Sequence, residues 1–239
     1  MIYRTISPTE SQVGKYVDIN GNGIPEGVIF ADLAIGGKCQ YRDRGKNKAN
    51  FYEVEIQTLK EGLKDYIVIG EFEDKINGKQ EILAPILDGN NRFYIMALQD
   101  AIPYNREWYD SAGYSKIHDY DTLTHKWFGA GYSNTVTMMK KWTNEEFGIK
   151  NGGIQGDVWR EIQEDVKNGW FIPSKDEWAI IAANLKISST NYESKGLKTS
   201  YWSSSIFDTY RVYTINFWFT YINNDGFFDD HAIRLITTY

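Results

Sequence analysis

The sequence predicts an α+β fold, in which short strands precede and follow a helical middle section. Short segments rich in β-branched and aromatic residues, separated by turn signals such as Asn20-Gly21-Asn22-Gly23, fill the first third of the chain. Apolar residues recur at helical spacing between 132 and 185, and strand-like alternation returns between 201 and 239. Because no internal repeat and no Pro- or Ser-rich linker divides these parts, we expect a single domain over residues 1–239.

The strands of the first part are expected where apolar residues stand between turn signals. These segments are 16–19, 27–36, 51–56, 66–70, 82–86 and 92–98. In the last part, 211–217 alternates in the manner of a strand, and 232–237 is expected to be a core strand.

The helices are expected in the middle of the chain. One is predicted over 132–147 and another over 157–166, where Val158, Ile162 and Val166 share one face and Asn168-Gly169 gives a stop signal. Ser174 is predicted to be the N-cap of the next helix, with Glu177 completing a capping box. Its inward face is expected to carry Trp178, Ile181, Ala182 and Leu185.

Bulk properties exclude several classes of protein. The net charge is -6, and the one basic stretch, 38–48, is short and interrupted, so a nucleic-acid partner is not expected. Cys39 is the only cysteine, which rules out an intrachain disulfide or a multi-thiolate metal site. The N-terminus has no signal-peptide core and no apolar run reaches the roughly 20 residues of a membrane span. We therefore expect a soluble chain without membrane insertion, and leave export open.

Three motifs carry a resemblance to a known family. The segment Gly169-Trp170-Phe171-Ile172-Pro173-Ser174-Lys175-Asp176-Glu177-Trp178 resembles the W-R-[LM]-P-[ST]-x-x-E signature of bacterial C-type-lectin-like domains. Tyr201-Trp202-Ser203-Ser204-Ser205 resembles their Y-W-S-S-[ST] signature, and Ile233-Arg234-Leu235 resembles their terminal V-R-x-V. The segment 17–37 is similar to the opening strands of the Fibrobacter major paralogous domain. This resemblance implies a C-type-lectin-like fold of the sulfatase-modifying, formylglycine-generating type.

The resemblance also separates two branches of function. The catalytic branch uses a pair of cysteines, and because Cys39 has no partner the chain is not expected to be an enzyme. Another branch contains the variable proteins of diversity-generating retroelements, including phage tropism determinants. In that branch the stretch between Tyr-Trp-Ser-Ser and the terminal Arg is hypermutated and binds ligand, which implies a variable region at about 203–233.

The composition of the C-terminal segment tests this second branch. Retroelement mutagenesis changes adenines, chiefly in Asn-type codons, and such codons cannot become Lys, Glu, Gln, Met or Trp. After Lys198 the chain contains no Lys, Glu, Gln or Met, and within 206–231 only Trp218 falls outside the reachable set. The alternative is that a β-rich segment favours Phe, Tyr, Ile and Thr for structural reasons alone.

The residues of this segment are suited to recognition. Side chains alternate along a strand, so its many rings cannot all face one buried side, and aromatic residues with short polar groups are what antibody loops use. The expected ligand-binding residues are Phe207, Asp208, Tyr210, Tyr213, Asn216, Trp218, Phe219, Tyr221, Asn223, Asn224, Phe227, Phe228, Asp229, Asp230 and His231. The carboxylates, with Asp225, favour a cationic or hydroxyl-rich ligand on a protein or glycan receptor. Trp170, Trp178 and Trp202 are expected in the core, and Arg234 is expected to bond internally.

A calcium loop is the main alternative chemistry. Asp18, Asn20 and Asn22 stand at positions 1, 3 and 5 of such a pattern, with Glu26 as a further carboxylate. Position 12 is Ile29, where an EF-hand needs a bidentate Glu. We therefore favour an Asx-rich hairpin turn and keep the metal site as the weaker interpretation.

Other chemical patterns are weaker still. The segment 129–134 is a broken Gly-x-Gly-x-x-Gly with no strand before it, and His118 with Asp119 and Asp121 fits a polar surface loop. No nucleophile elbow supports a Ser-His-Asp set, and the carboxylate pairs at 145–146 and 229–230 show no desolvating pocket. No catalytic residue and no cofactor are therefore predicted.

Three hypotheses of function remain. The first is a non-enzymatic variable protein of a diversity-generating retroelement that binds ligand through 207–231. The second is a surface adhesin or structural domain of the same fold without diversification. The third is an enzyme with an acidic cleft. The location is left open between the cytoplasm, a cell surface and a phage particle.

Overall fold

The computed structural model of the chain describes residues 3–44, 49–109, 123–143 and 157–239. The strands are β1 (Arg4–Thr5), β2 (Tyr16–Val17), β3 (Gly27–Asp32), β4 (Gly37–Arg44), β5 (Ala49–Ile56), β6 (Tyr66–Asp74), β7 (Gly78–Pro85), β8 (Phe93–Ala97), β9 (Arg106–Glu107), β10 (Ser200–Asp208), β11 (Arg211–Asn216), β12 (Tyr221–Gly226), β13 (Asp230–His231) and β14 (Ile236–Thr238). The helices are α1 (Gly131–Trp142), α2 (Val158–Glu161), α3 (Gln163–Lys167) and α4 (Lys175–Asn184). The expected α+β class is confirmed.

The strands of the described residues form three sheets. A seven-stranded sheet has the order β1-β6-β7-β2-β3-β8-β14, and a five-stranded sheet has the order β10-β11-β12-β4-β5. A two-stranded sheet joins β13 to β9. Most neighbours are antiparallel, while β2 runs parallel to β7 and β12 runs parallel to β4. Both larger sheets therefore combine strands from the beginning and the end of the chain.

Helix α4 begins as its sequence predicts. The Ser174 hydroxyl accepts the N–H of Glu177, and the Glu177 carboxylate accepts the N–H of Ser174 at 2.6 Å, which completes the capping box. The same carboxylate accepts the N–H of Gly129 at 3.1 Å. A Cβ on Gly131 would lie 2.3 Å from this carboxylate, so only glycine permits the close approach of α1.

The core lies between α4 and the two larger sheets. Trp178 of α4 packs 5.1 Å from Tyr201 and 6.1 Å from Phe217, all fully buried. A second cluster is built around Trp108, Trp159 and Trp202, and a third covers the other side of the seven-stranded sheet. All six residues of β3 are buried because both faces of this central strand are covered.

The segment 157–166 forms two short helices where one helix was expected. Asp157 is the N-cap of α2, and the backbone of Ile162 leaves helical geometry at φ -94 and ψ 8 before α3 begins. Ile162 is fully buried, and its packing takes precedence over the continuous helical pattern. Helix α3 ends where the sequence indicates, with Gly169 at φ +85.

The closing segment also differs from the expectation. A strand was expected over 232–237, and the structure has one only at Ile236–Thr238. The carbonyl of Leu235 accepts the N–H of Ala97, the last residue of β8, and the carbonyl of Ile233 accepts that of Ala101 in the loop that follows. Within this stretch Arg234 is buried as expected and bonds Asp100 through Nε at 2.8 Å. Trp170 was expected in the core but is only half-buried, since one part of its ring packs against the second cluster while another lines a surface hollow.

Candidate ligand-binding surface

The segment predicted to bind ligand forms strands β10, β11 and β12 and the turns that join them. Strand β11 lies between β10 and β12 in the sheet. On its other side β12 pairs in parallel with β4, with Ile222 opposite Asp43. Residues 212–215 of β11 are all buried, because α4 and the second core cluster cover its two faces. The middle of β11 is therefore buried, and the exposed side chains of this segment lie at the two ends of β11.

One group of exposed rings lies at the β10–β11 end. We call Phe207, Tyr210 and Phe228 the first ring group; Tyr210 is 58% exposed and Phe228 57%. The pairing of Arg211 with Gly226 brings the turn that carries Phe228 beside the turn that carries Tyr210. The Arg211 guanidinium lies 4.5 Å from the centre of the Phe207 ring. This end presents rings together with a cation stacked on one of them.

A second group lies at the β11–β12 turn. We call Trp218, Phe219 and Tyr221 the second ring group; Trp218 is 61% exposed, and Phe219 stacks on Tyr221 at 5.4 Å. Thr220 holds this turn at φ +54, a left-handed conformation. Arg44 of β4 lies 5.9 Å from the Tyr221 ring centre, so the neighbouring strand adds a cation here as well.

The two ring groups are separate patches. They are joined by the six residues of β11, a distance of about 20 Å along the strand. Ligand binding was predicted for 207–231 as a whole, and the structure places the exposed rings of this segment at the two ends of β11. The cause is the central position of β11, which buries whatever lies between them.

Three of the predicted contact residues are buried, contrary to the prediction. Tyr213 is only 5% exposed because β11 packs it under α4, beside the Lys175 side chain. Phe227 is 1% exposed and stacks on Trp108 at 5.2 Å. Asn223 is also buried, with its side chain bonded to Asp225 and Arg44. These side chains support the surface and do not form it.

The carboxylates expected to attract a cationic ligand are mostly used within the protein. Asp208 forms an ion pair with Arg211; burial raises the pKa of Asp208, but hydrogen bonds from Arg211 and Tyr210 outweigh it and leave the pKa below its usual value. Burial likewise raises the pKa of Asp225, but the interactions with His231 and Thr214 outweigh it and leave the pKa below its usual value. The surface is therefore less acidic than the sequence indicates.

The remaining predicted residues hold the turns or stay exposed. The Asn216 side chain accepts the N–H of Phe219 at 3.2 Å, and Asn224 accepts from Arg211 at 2.9 Å. Asp229 accepts the N–H of Gly226 at 2.7 Å. Asp229 and Asp230 are exposed beside Phe228, so the carboxylates open to a ligand belong to the first ring group's end.

A serine, a histidine and an aspartate meet behind this surface. The Ser200 hydroxyl lies 2.5 Å from Nδ1 of His231, and Nε2 of His231 lies 3.2 Å from Asp225. The His231 ring also packs edge-to-face on Trp202 at 4.4 Å. We predicted no such set from the sequence, because its members are not marked by a nucleophile elbow and only the folding of β10, β12 and β13 brings them together.

The candidate calcium loop is held by hydrogen bonds of its own backbone. The Asp18 carboxylate accepts the N–H groups of Gly21 and Gly23 at 2.7 and 2.6 Å, and Glu26 accepts that of Ile19 at 2.6 Å. Asn20 donates to Glu26, and Asn22 accepts from Ile24. This is the arrangement of the Asx-rich turn. Within the described ranges no group of three or more His, Cys, Asp or Glu residues could hold a metal ion.

Two neighbours of the second ring group were missed by the sequence analysis. Phe51 of β5 is 66% exposed and Arg42 lies over its ring, on the hairpin that extends the same sheet. The available signal was alternation: Phe51 is in phase with Glu53 and Glu55, which are exposed, and out of phase with buried Val54. His118, Asp119, Asp121 and the pair at 145–146 lie outside the described residues.

The comparisons with known proteins add no relative. No family model matches the chain, and a search of curated proteins finds no match. In the described part of the chain, no helix is both long and apolar enough to cross a bilayer.

Proposed function

We propose that the chain is a ligand-binding protein with a C-type-lectin-like fold, and that its last segment is a surface open to variation. The observation that carries the proposal is the exposure of both ring groups at the ends of a strand whose middle is buried. Exposed rings in such number mark a partner surface. The residue usage of 206–231 supports the same conclusion, since every residue except Trp218 is one that adenine-directed mutagenesis of Asn-type codons can produce.

The contacts among the family-like motifs support this fold. The Trp178 indole donates to the carbonyl of Trp202 at 2.9 Å, so the two tryptophan-containing motifs are bonded to each other. The N–H of Ser204 donates to the carbonyl of Pro173 at 2.8 Å, and the N–H of Lys175 donates to the Ser205 hydroxyl at 3.0 Å. Buried, bonded motifs supply a rigid base for the strands that carry the rings.

The arrangement favours a protein receptor over a single sugar. Two patches about 20 Å apart need a partner that spans both, and a standard protein interface of about 800 Å² per partner does so. Each patch combines rings with an arginine, the residue types that dominate binding energy at interfaces. A glycan receptor remains the alternative if only one of the two ring groups binds.

Binding can be tested with intact cells of a panel of bacterial strains and an immobilised glycan set, using fluorescently labelled chain. Trp218→Ser with Phe219→Ser removes the second ring group, and Tyr210→Ser with Phe228→Ser removes the first. Leu87→Ser is the matched control, because Leu87 is 60% exposed and lies far along the chain from both groups. We expect at least one double variant to lose binding tenfold or more. Unchanged binding by both would overturn the proposal.

The diversification part has its own test in the gene's surroundings. A reverse transcriptase gene and a near-identical template copy differing only at adenines support a variable protein. If the locus lacks both and the chain still binds through the ring groups, the non-diversified adhesin is favoured.

A hydrolase is the second candidate function, and the Ser200–His231–Asp225 contacts are the observation that favours it. The Ser200 hydroxyl lies within hydrogen-bond distance of Nδ1 of His231, the contact that a general base requires. Nε2 of His231 lies 3.2 Å from Asp225 but makes no hydrogen bond to the described residues. Labelling by a fluorophosphonate probe that disappears in Ser200→Ala supports this function. Equal labelling of the wild type and of Ser200→Ala would rule out Ser200 as the nucleophile and with it this second candidate function.

A further inference from the structure

A hollow lined by residues outside the two ring groups has the features of a second binding site. Its volume is about 560 Å³, within the range of small-molecule sites. It lies where the ends of β8 and β14 meet the start of α1 and the segment after α3. None of its lining residues belongs to 206–231, so this hollow belongs to the part of the chain that the proposed variation leaves unchanged.

The walls of the hollow are aromatic. Tyr132 is 55% exposed and packs edge-to-face on Phe171 at 5.7 Å, which fixes its ring while leaving one side open. Trp170 is half-buried, anchored in the second core cluster. Tyr94 is held against Phe128 at 4.5 Å. Rings fixed in this way offer flat surfaces at little entropic cost.

Neutral polar groups complete the lining. The Asn91 amide donates to the Thr238 hydroxyl at 2.9 Å, leaving that hydroxyl its own proton to donate. Asn168 is exposed at the rim, and its amide makes no hydrogen bond to the described residues. An asparagine amide offers both a donor and an acceptor, which is the pairing that a vicinal diol can satisfy.

Among the described residues, no charged side chain lines the hollow. No Asp, Glu, Lys, Arg or His is among its lining residues in the described chain, and burial raises the pKa of the Tyr94 hydroxyl, which stays protonated at physiological pH. The neighbouring hollow of about 360 Å³, on the other side of Trp170, is lined instead by Glu26, Asp100 and Asp165. A ligand of the first hollow is therefore neutral and rich in hydroxyls, with an apolar face to stack on a ring.

We propose that this hollow binds a neutral oligosaccharide, with a sugar ring stacked on Tyr132 or Trp170 and its hydroxyls bonded by Asn168 and Thr238. The chemistry of rings on one side and amide or hydroxyl groups on the other fits a sugar better than a purely apolar ligand. The site is independent of the two ring groups and would be shared by every variant of the last segment.

Titration calorimetry with cellobiose, maltotriose, lactose and N,N′-diacetylchitobiose tests the site on the full chain. We expect at least one of them to bind, with a tenfold or greater loss in Tyr132→Ala and in Asn168→Ala and no change in melting temperature. Phe219→Ala and Phe228→Ala are the controls, since they remove rings of similar exposure from the proposed receptor surface.

The outcomes separate the two proposals. Sugar binding that survives Phe219→Ala and Phe228→Ala but not Tyr132→Ala supports this site whatever happens to receptor binding. Binding lost in the two controls and kept in Tyr132→Ala assigns the sugar to the ring groups and overturns the inference. Absence of any heat from all four sugars at millimolar concentration overturns it as well.

Discussion

Phe227 and Phe228 are adjacent and chemically identical, but one is buried and the other exposed. The stability lost on substituting each by alanine therefore tests which of the two rings belongs to the core. Phe227 is 1% exposed and Phe228 57%. A phenylalanine side chain of roughly 200 Å² thus hides about 110 Å² more at position 227. At about 25 cal/mol per Å² this difference corresponds to about 3 kcal/mol. The cavity left beside Trp108 adds to the loss, and we expect Phe227→Ala to cost about 3–5 kcal/mol.

The two variants are compared by calorimetry and urea denaturation of the purified chain. For a chain of this length, 1 kcal/mol shifts the melting temperature by about 2–4 °C, so Phe227→Ala is expected to lower it by about 6–20 °C. Phe228→Ala is expected to cost about 1 kcal/mol or less, which is a shift of about 4 °C at most. Equal losses in the two variants would show that the Phe228 ring is part of the core and that the first ring group does not face solvent.

Three further substitutions test the frame beneath the rings. Burial raises the pKa of Glu177 to about 7 from 4.5. Because the pKa is raised in the folded state, the protonated Glu177 side chain adds to the free energy of unfolding. This contribution of about 3 kcal/mol is fully present below pH 4.5 and is lost as the pH rises through 7. Glu177→Gln is therefore expected to flatten the dependence of the unfolding free energy between pH 5 and 8, and a slope equal to that of the wild type would refute this. Arg234→Met removes a buried guanidinium that bonds half-buried Asp100, whose remaining cation is Lys198 at 3.6 Å, and is expected to cost about 2–3 kcal/mol in urea denaturation. A loss below 1 kcal/mol would contradict the internal role. Ser174→Ala removes the N-cap of α4 and the hydrogen bond to the Trp127 carbonyl, and is expected to lower the unfolding free energy by about 1–2 kcal/mol. An unchanged urea midpoint would show that the cap is dispensable.

Local patterns in the sequence predicted most of the elements. The capping box at Ser174 and the stop at Gly169 are determined by neighbours within a few residues, and both are found in the structure. The split at Ile162 and the short β14 depend on partners distant in sequence. Ile162 packs into the second core cluster, and Arg234 bonds Asp100, so tertiary contacts replace the regular pattern at both places.

The candidate site was predictable in composition and not in geometry. Residue types alone indicated a surface rich in rings at the end of the chain. They could not show that both faces of β11 are covered or that β12 pairs with β4, because these contacts join segments distant in sequence. The covering of β11 buries Tyr213, and the pairing of β12 with β4 brings Phe51 of β5 near the second ring group. The hollow beside Tyr132 has the same origin, since its walls come from distant segments.

The buried residues of the last segment limit where variation can occur. Tyr213, Ile215, Phe217 and Phe227 are all within the set that Asn-type codons can reach, yet each fills the core. Random replacement at any of them would cost several kcal/mol in a protein whose total stability is about 5–15 kcal/mol. A template that diversifies this protein must therefore carry its adenine-rich codons at exposed positions such as 210, 219 and 228, and avoid them at the four buried positions. Template adenines spread evenly over buried and exposed positions would be incompatible with a folded repertoire, and with the proposal that this segment is the variable one.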